Sequence, residues 1–170
     1  NANAPLWGKA LFEMMDEKVE LVKYIQRAVG YSLSGDTTEH CFFMLYGTGA
    51  NGKSVFLRII ARIMGDYYRN SRMSVFERKY GNQPTNDIAR LYEARVITAN
   101  ESGEAKRLDE ELLKEITGGD PVTARFLYQE SFTFHPQFKI WFAVNTLPKV
   151  NAYDYGFWRR VRIIPFKVRF

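Results

Sequence analysis

Apolar and polar positions follow two rhythms along this chain. Over residues 6–29, Val19, Val22, Ile25 and Val29 recur three or four apart, with Glu17, Lys18, Glu20 and Lys23 on other faces. That spacing predicts amphipathic helix, with Asp16 placed to cap a helix start and Gly30 to end it. Residues 32–39 read as a polar loop. Phe42, Phe43, Met44, Leu45 and Tyr46 then form an unbroken apolar run, as a strand buried on both faces requires. Helical spacing returns at 54–64 through Val55, Leu57, Ile59, Ile60 and Ile63, and Gly65 stops it. Residues 67–79 read as a short strand and a turn, 80–86 as a loop containing Gly81 and Pro84, and 87–92 as a short helix. A β-rich run at 95–100 leads to an acidic-start helix at 108–117, which Gly118 and Gly119 terminate. Two β-type segments, 122–128 and 131–134, surround Gln129 and Glu130; runs at 139–145 and 161–166 complete the strands.

Apolar strands alternating with helices predict an α/β fold: a central, mostly parallel five-stranded sheet flanked by helices. An N-terminal helical segment at 1–35 precedes the core at 36–170, and the paired segments after residue 121 form an inserted β-hairpin. In parallel sheets, ligands gather at the carboxyl ends of the strands. Three strands here end in chemically useful groups: the glycine-rich stretch after Tyr46, then Glu101, then Asn145.

The first of these reads GTGANGKS at 47–54. Gly47, Gly49 and Gly52 open backbone angles that turn amide N–H groups inward onto phosphate oxygens, with Thr48, Ala50 and Asn51 completing the loop. Lys53 reaches the β- and γ-phosphates, Ser54 offers its hydroxyl to Mg²⁺, and Val55 follows in the first turn of a helix whose N-terminus favours anions. The pattern arises by chance in well under ~1% of chains of this length, given average glycine usage. A glycine-rich turn with a solvated lysine is the plain alternative, and the strand before and helix after weigh against it. The chain is expected to bind ATP with Mg²⁺.

Glu101 would sit beside such a loop, holding Mg²⁺ through water or polarising the attacking water. The place before it is Asn100 rather than a second acid, so Glu101 acts alone or shares the metal with Glu104. Asn145 offers a neutral amide to the γ-phosphate or the lytic water; otherwise it is a turn residue before Pro148. Arg159 and Arg160 supply guanidinium groups suited to charge on a transferred phosphoryl, although an arginine pair alone is usually a solvated feature. In the hairpin, Arg125, Phe126, Tyr128 and Gln129 lie near the tip, where cations meet phosphates and rings stack on bases of single-stranded DNA. Phe132 and Phe134, at period two, read as core.

Composition narrows the class. The 170 residues are 46% hydrophobic, enough for one domain with a true core. Cys41 stands alone, which excludes an internal disulfide and a Cys-rich metal site and favours a reducing, cytoplasmic setting. His40 and His135 are too isolated to suggest zinc. No apolar stretch nears the ~20 residues that span a bilayer, so no membrane partner is expected. A net charge of +5 permits a nucleic-acid partner. The chain opens on Asn1 without a methionine and stops after a strand-like run, and so reads as an excised domain.

These motifs in order resemble superfamily 3 helicases, in the branch of phage- and plasmid-encoded primase–helicases related to poxvirus replication ATPases. YGTGANGKSVFLRII is similar to the Walker A of that family, and ARVITANESGEAKRLDEELLKEITGGD to its Walker B and the start of B′. PVTARFLYQESFTFHPQFKIWFAVNTLP resembles the rest of B′ and motif C, and DYGFWRRVRIIPF the arginine-finger region. The resemblance implies an AAA+-like core working as a homo-oligomeric ring, hexameric in the family, with ATP between subunits and DNA in the channel. It assigns Lys53 and Ser54 to phosphate and magnesium, Glu101 to the Walker B acid and Asn145 to the sensor. It makes Arg160 the preferred arginine finger, with Arg159 close behind. A primase domain is expected in the full-length protein. A small-molecule kinase and a nucleotide-switched assembly module remain the rival readings, because both would also carry GTGANGKS.

Overall fold

Two helices open the chain where the apolar period extends over one long stretch. The computed structural model describes residues 3–78, 85–101, 107–151 and 153–170. The first helix, α1 (Pro5–Met14), starts on a proline whose fixed φ suits a first turn. The chain breaks at Asp16 and Glu17, both left-handed (φ 56° and 57°), and resumes as α2 (Val19–Leu33). Asp16 does not cap it: the N-cap residue is Lys18, and the Asp16 carboxylate takes the Lys18 ammonium at 2.7 Å instead. Nor does Gly30 end it. The helix runs on because Ser32 is fully buried, donating to the Ala28 carbonyl at 2.8 Å and accepting from Trp141 Nε1 at 3.1 Å.

The sheet begins with β1 (Phe42–Tyr46), followed by α3 (Lys53–Met64) and the polar strand β2 (Tyr68–Arg72). A short α4 (Asn86–Ala89) leads to β3 (Val96–Asn100), and α5 (Glu110–Thr117) starts on Asp109, which accepts from the Leu112 amide at 3.0 Å. The hairpin strands β4 (Val122–Arg125) and β5 (Ser131–Phe134) precede β6 (Lys139–Val144), α6 (Tyr155–Trp158) and β7 (Val161–Pro165). The five-stranded sheet has the order β2-β3-β6-β1-β7, and every pairing in it is parallel. The segment at 79–84 and Glu104 lie outside the described residues.

Both faces of the sheet are covered, which explains why its inner strands are continuous apolar runs. Phe42, Met44, Ile140, Phe142 and Val144 face a core shared with α4, α5, α6 and the hairpin. Phe43, Leu45, Trp141 and Ala143 face the other, built with α1, α2 and α3. Trp141 is fully buried there and stacks on Phe43 at 4.2 Å. The N-terminal helices are therefore part of the core packing. They are also tied by charge: Arg95 donates to the Leu33 carbonyl at 2.8 Å, and Lys139 to the Ser34 carbonyl at 3.2 Å. Cations at the carboxyl end of α2 complement its dipole and its unpaired carbonyls. Lys139 also lies 4.5 Å above the Tyr31 ring, and burial pushes its pKa down to about 8.

Candidate functional site

Between β1 and α3 the backbone makes a tight loop held from two sides. Gly47 donates to the Val144 carbonyl at 3.2 Å, and a Cβ on it would collide with the Phe166 carbonyl oxygen and the Asn51 side chain. No larger residue fits there. Asn51 is buried and donates to that same Phe166 carbonyl at 3.2 Å. Gly52 is left-handed (φ 88°) and packs against Met14 of α1, whose atoms would lie 2.9 Å from an added Cβ. The Phe170 amide bonds the Ala50 carbonyl at 2.7 Å. Gly49 has open space above it, and Thr48, Ala50, Ser54 and Val55 are exposed around the rim.

Lys53, the first residue of α3, points into this loop. Its ammonium donates to the Gly47 carbonyl, to Asn51 Oδ1 at 3.2 Å and to Asn145 Oδ1 at 3.2 Å. The residue is only 6% exposed, and among the described residues it has no salt bridge. Burial lowers its pKa, and the nearby Glu101 charge works against that shift. A buried ammonium without a carboxylate partner is costly unless something anionic completes it.

Glu101 follows directly on β3 and is held by the end of β6. Its amide donates to the Ala143 carbonyl at 3.0 Å, while Oε2 accepts from the amides of Asn145 (2.6 Å) and Thr146 (3.2 Å). Three adjacent strands, β1, β6 and β3, thus bring Lys53, Asn145 and Glu101 into one bonded set. Among the described residues no cluster of three metal-ligating His, Cys, Asp or Glu side chains exists. Mg²⁺, which keeps waters and leans on substrate phosphates, does not need one.

The two arginines have different surroundings. Arg160 is buried, donates to the Gly156 carbonyl at 2.5 Å and leaves its Nε without a partner; desolvation lowers its pKa. A guanidinium committed to a carbonyl of its own chain is poorly placed to act on another molecule, which weighs against the preference for Arg160 over its neighbour. Arg159 is exposed. Both precede β7, at the amino end of the sheet, whereas the loop lies beyond the carboxyl end. The five residues of β7 put about 16 Å between the two ends at ~3.3 Å per residue. Arg159 therefore cannot reach the loop of its own chain.

The hairpin pairs Val122 with Phe134 and Arg125 with Ser131 around a loop at 126–130. Phe126 is not a free tip residue: its ring stacks on Phe132 at 5.5 Å, in line with Phe134 and braced by Tyr92. Tyr128 is fully exposed and left-handed (φ 62°), and Arg125 and Gln129 are exposed with it. Leu127, 58% exposed, is the tip residue that sequence reasoning passed over; an apolar side chain inside a five-residue hairpin loop was the available signal. Thr85 and Asn86 accept from the amides of Arg125 (3.0 Å) and Leu127 (3.3 Å), so the start of α4 anchors the tip end of the hairpin. Among the described residues no helix is long and apolar enough to cross a membrane.

Comparison with known proteins agrees with this architecture. A helicase-named protein of Acanthamoeba polyphaga mimivirus is 34% identical over 150 residues, 87% of this chain and 16% of that protein. A primase-named protein of African swine fever virus is 27% identical over 159 residues, covering 92% of this chain and 16% of its own length. This chain spans about a sixth of these relatives. The apo C-terminal region of NrS-1 shares the fold, with a TM-score of 0.67 over 98% of this chain and 39% of that one, at 12% identity. The likeness to primase–helicases related to poxvirus replication proteins, read from the motif order, is borne out by these names. The model of a family described as a family of unknown function, DUF5906, matches residues 45–160, and the chain belongs to that family.

Proposed function

We propose that this chain is the ATP-hydrolysing core of a replicative DNA helicase, a ring-forming motor of superfamily 3 with an AAA+-like phosphate-loop fold. The observation that carries the reading is the buried Lys53 ammonium, unpaired by any described carboxylate and bonded to the residue whose backbone holds Glu101. An open loop of backbone amides beside that cation fits a nucleoside triphosphate in charge and shape. Lys53 binds the terminal phosphates, and Ser54, exposed at the helix start, together with Glu101, holds Mg²⁺. When bound, the metal would neutralise charge on the phosphate oxygens. Glu101 orients and deprotonates the attacking water, and Asn145 bridges Lys53 and the γ-phosphate position. Arg159 acts on the site of an adjoining copy, a role its distance from its own loop supports.

A contact that is always made in trans calls for a head-to-tail interface, which makes a ring where the rotation between copies closes. Single-stranded DNA is the partner of the hairpin tip, where Tyr128 and Leu127 meet bases and Arg125 and Gln129 meet the backbone. The primase-named relatives, far longer than this chain, support a primase domain elsewhere in the same protein. ATPase assays on the full protein, with and without single-stranded DNA, test the reading. ATP turnover that rises with DNA is expected. Stoichiometric ADP production indifferent to DNA would favour a small-molecule kinase, and nucleotide binding with negligible turnover a switched assembly module.

A further inference from the structure

Beside the edge strand β2 lies a groove of about 350 Å³ whose polar walls include Arg69, Asn70, Ser71, Arg72, Asp87 and Arg90. Three arginines face one aspartate. Arg69 is fixed in place, donating to the carbonyls of Asp66 (2.6 Å) and Tyr68 (2.9 Å). Arg72 and Arg90 are exposed, and among the described residues neither makes a salt bridge. Charges on an edge strand also deter pairing with a stray strand. That purpose accounts for Arg69 and Arg72 but not for Arg90, which comes from the far end of a different element.

That element is α4, and it links the groove to the hairpin. Its start holds the tip end of the hairpin through Thr85 and Asn86, and the residue after its last turn is Arg90. Four helical residues rise ~6 Å. At ~3.4 Å per stacked nucleotide, that covers about two nucleotides. We propose that Arg72 and Arg90 form a second phosphate-binding track for single-stranded nucleic acid, continuous with the hairpin tip across α4. The inference rests on the reading of this chain as a motor on single strands. In it the hairpin tip grips bases, and the groove holds the backbone of the nucleotides next along.

The test is binding of fluorescein-labelled oligothymidylate to the full protein across a salt series. Each phosphate contact adds ~0.7 to the slope of log affinity against log salt for single strands, so Arg72→Ala/Arg90→Ala makes the slope shallower by about 1.4. Arg72→Gln/Arg90→Gln, closer in side-chain length, gives the same loss should alanine loosen the edge strand. Tyr128→Ala weakens binding while keeping the slope of the parent. A parent that binds, with double variants that are folded and keep its slope, overturns the groove and leaves the motor reading standing. A parent that does not bind oligothymidylate at any salt overturns both.

Discussion

Arg159 and Arg160 are adjacent in sequence, yet their replacement by alanine should separate catalysis from stability. Arg160→Ala removes a charge-assisted bond to the Gly156 carbonyl, worth ~1.5–3 kcal/mol, and the contacts of a buried stem. Against this, the buried Nε that lacks a partner disappears, recovering ~1 kcal/mol. The backbone bond from the Phe42 amide to the Arg160 carbonyl (3.0 Å) survives, because it uses no side chain. The net loss is about 2 kcal/mol, or a fall of about 4–8 °C in Tm for a domain of this size. Arg159→Ala, at an exposed site, should leave Tm within about 2 °C, since surface changes stay near ±0.5 kcal/mol. Its turnover should nevertheless fall by ~10³–10⁵, as for other fingers supplied in trans. Thermal melts and steady-state ATPase assays with DNA read both quantities. Doping inactive Arg159→Ala subunits into parent protein should depress activity out of proportion to their share. A strictly proportional decline, or an Arg160→Ala protein that melts normally yet does not hydrolyse ATP, would refute the assignment.

Glu101→Gln should fold normally, since one glutamine oxygen can accept from both the Asn145 and Thr146 amides as Oε2 does, at a cost of ~1 kcal/mol in lost charge assistance. ATP hydrolysis should fall ~10²–10⁴ with nucleotide binding retained, measured by a coupled assay beside a nucleotide titration; unchanged turnover would remove Glu101 from the chemistry. Tyr128→Ala should weaken single-strand binding by ~1–3 kcal/mol, read by anisotropy, and a smaller effect would mean that no base stacks on that ring. Lys139 gives a pH dependence whose sign is fixed. Its folded pKa, about 8, lies below the value of 10.5 for a free lysine, so between these limits the unfolded chain binds more protons. Its contribution to stability should therefore rise with pH from about 8 upward and be unfavourable below. Urea midpoints across that range, against Lys139→Met, isolate the effect; equal pH profiles would show that Lys139 titrates normally.

How far the residues revealed their own arrangement depended on how local the governing force was. The Gly47–Ser54 loop was legible because a tight turn from strand to helix dictates glycine at fixed spacing, and the inner strands because burial on two faces leaves no polar positions. Their ends were also readable: Glu101 and Asn145 follow the last buried residues of β3 and β6. What failed was decided by contacts far along the chain. Gly30 resembles a helix terminator, yet the bond from Trp141, over a hundred residues away, keeps Ser32 inside α2. Phe126 looks like a stacking residue until Phe132 is folded over it. Arg159 and Arg160 cannot be ranked from sequence, because only the turn of α6 decides which of two neighbours points inward. The path of β2 was half visible, since an edge strand with polar residues lacks the apolar run that marks the others.

The grip of Met14 on Gly52 and of Phe170 on Ala50 has a mechanical consequence. The turn that would cradle the triphosphate is clasped by residues far apart in the chain, one from the opening helix and one beyond the last strand. A tug on either flank changes the curvature of that turn before it disturbs the sheet, whose strands are bonded side by side. Under the proposed function, nucleotide affinity would then depend on how firmly Met14 and Phe170 hold the turn.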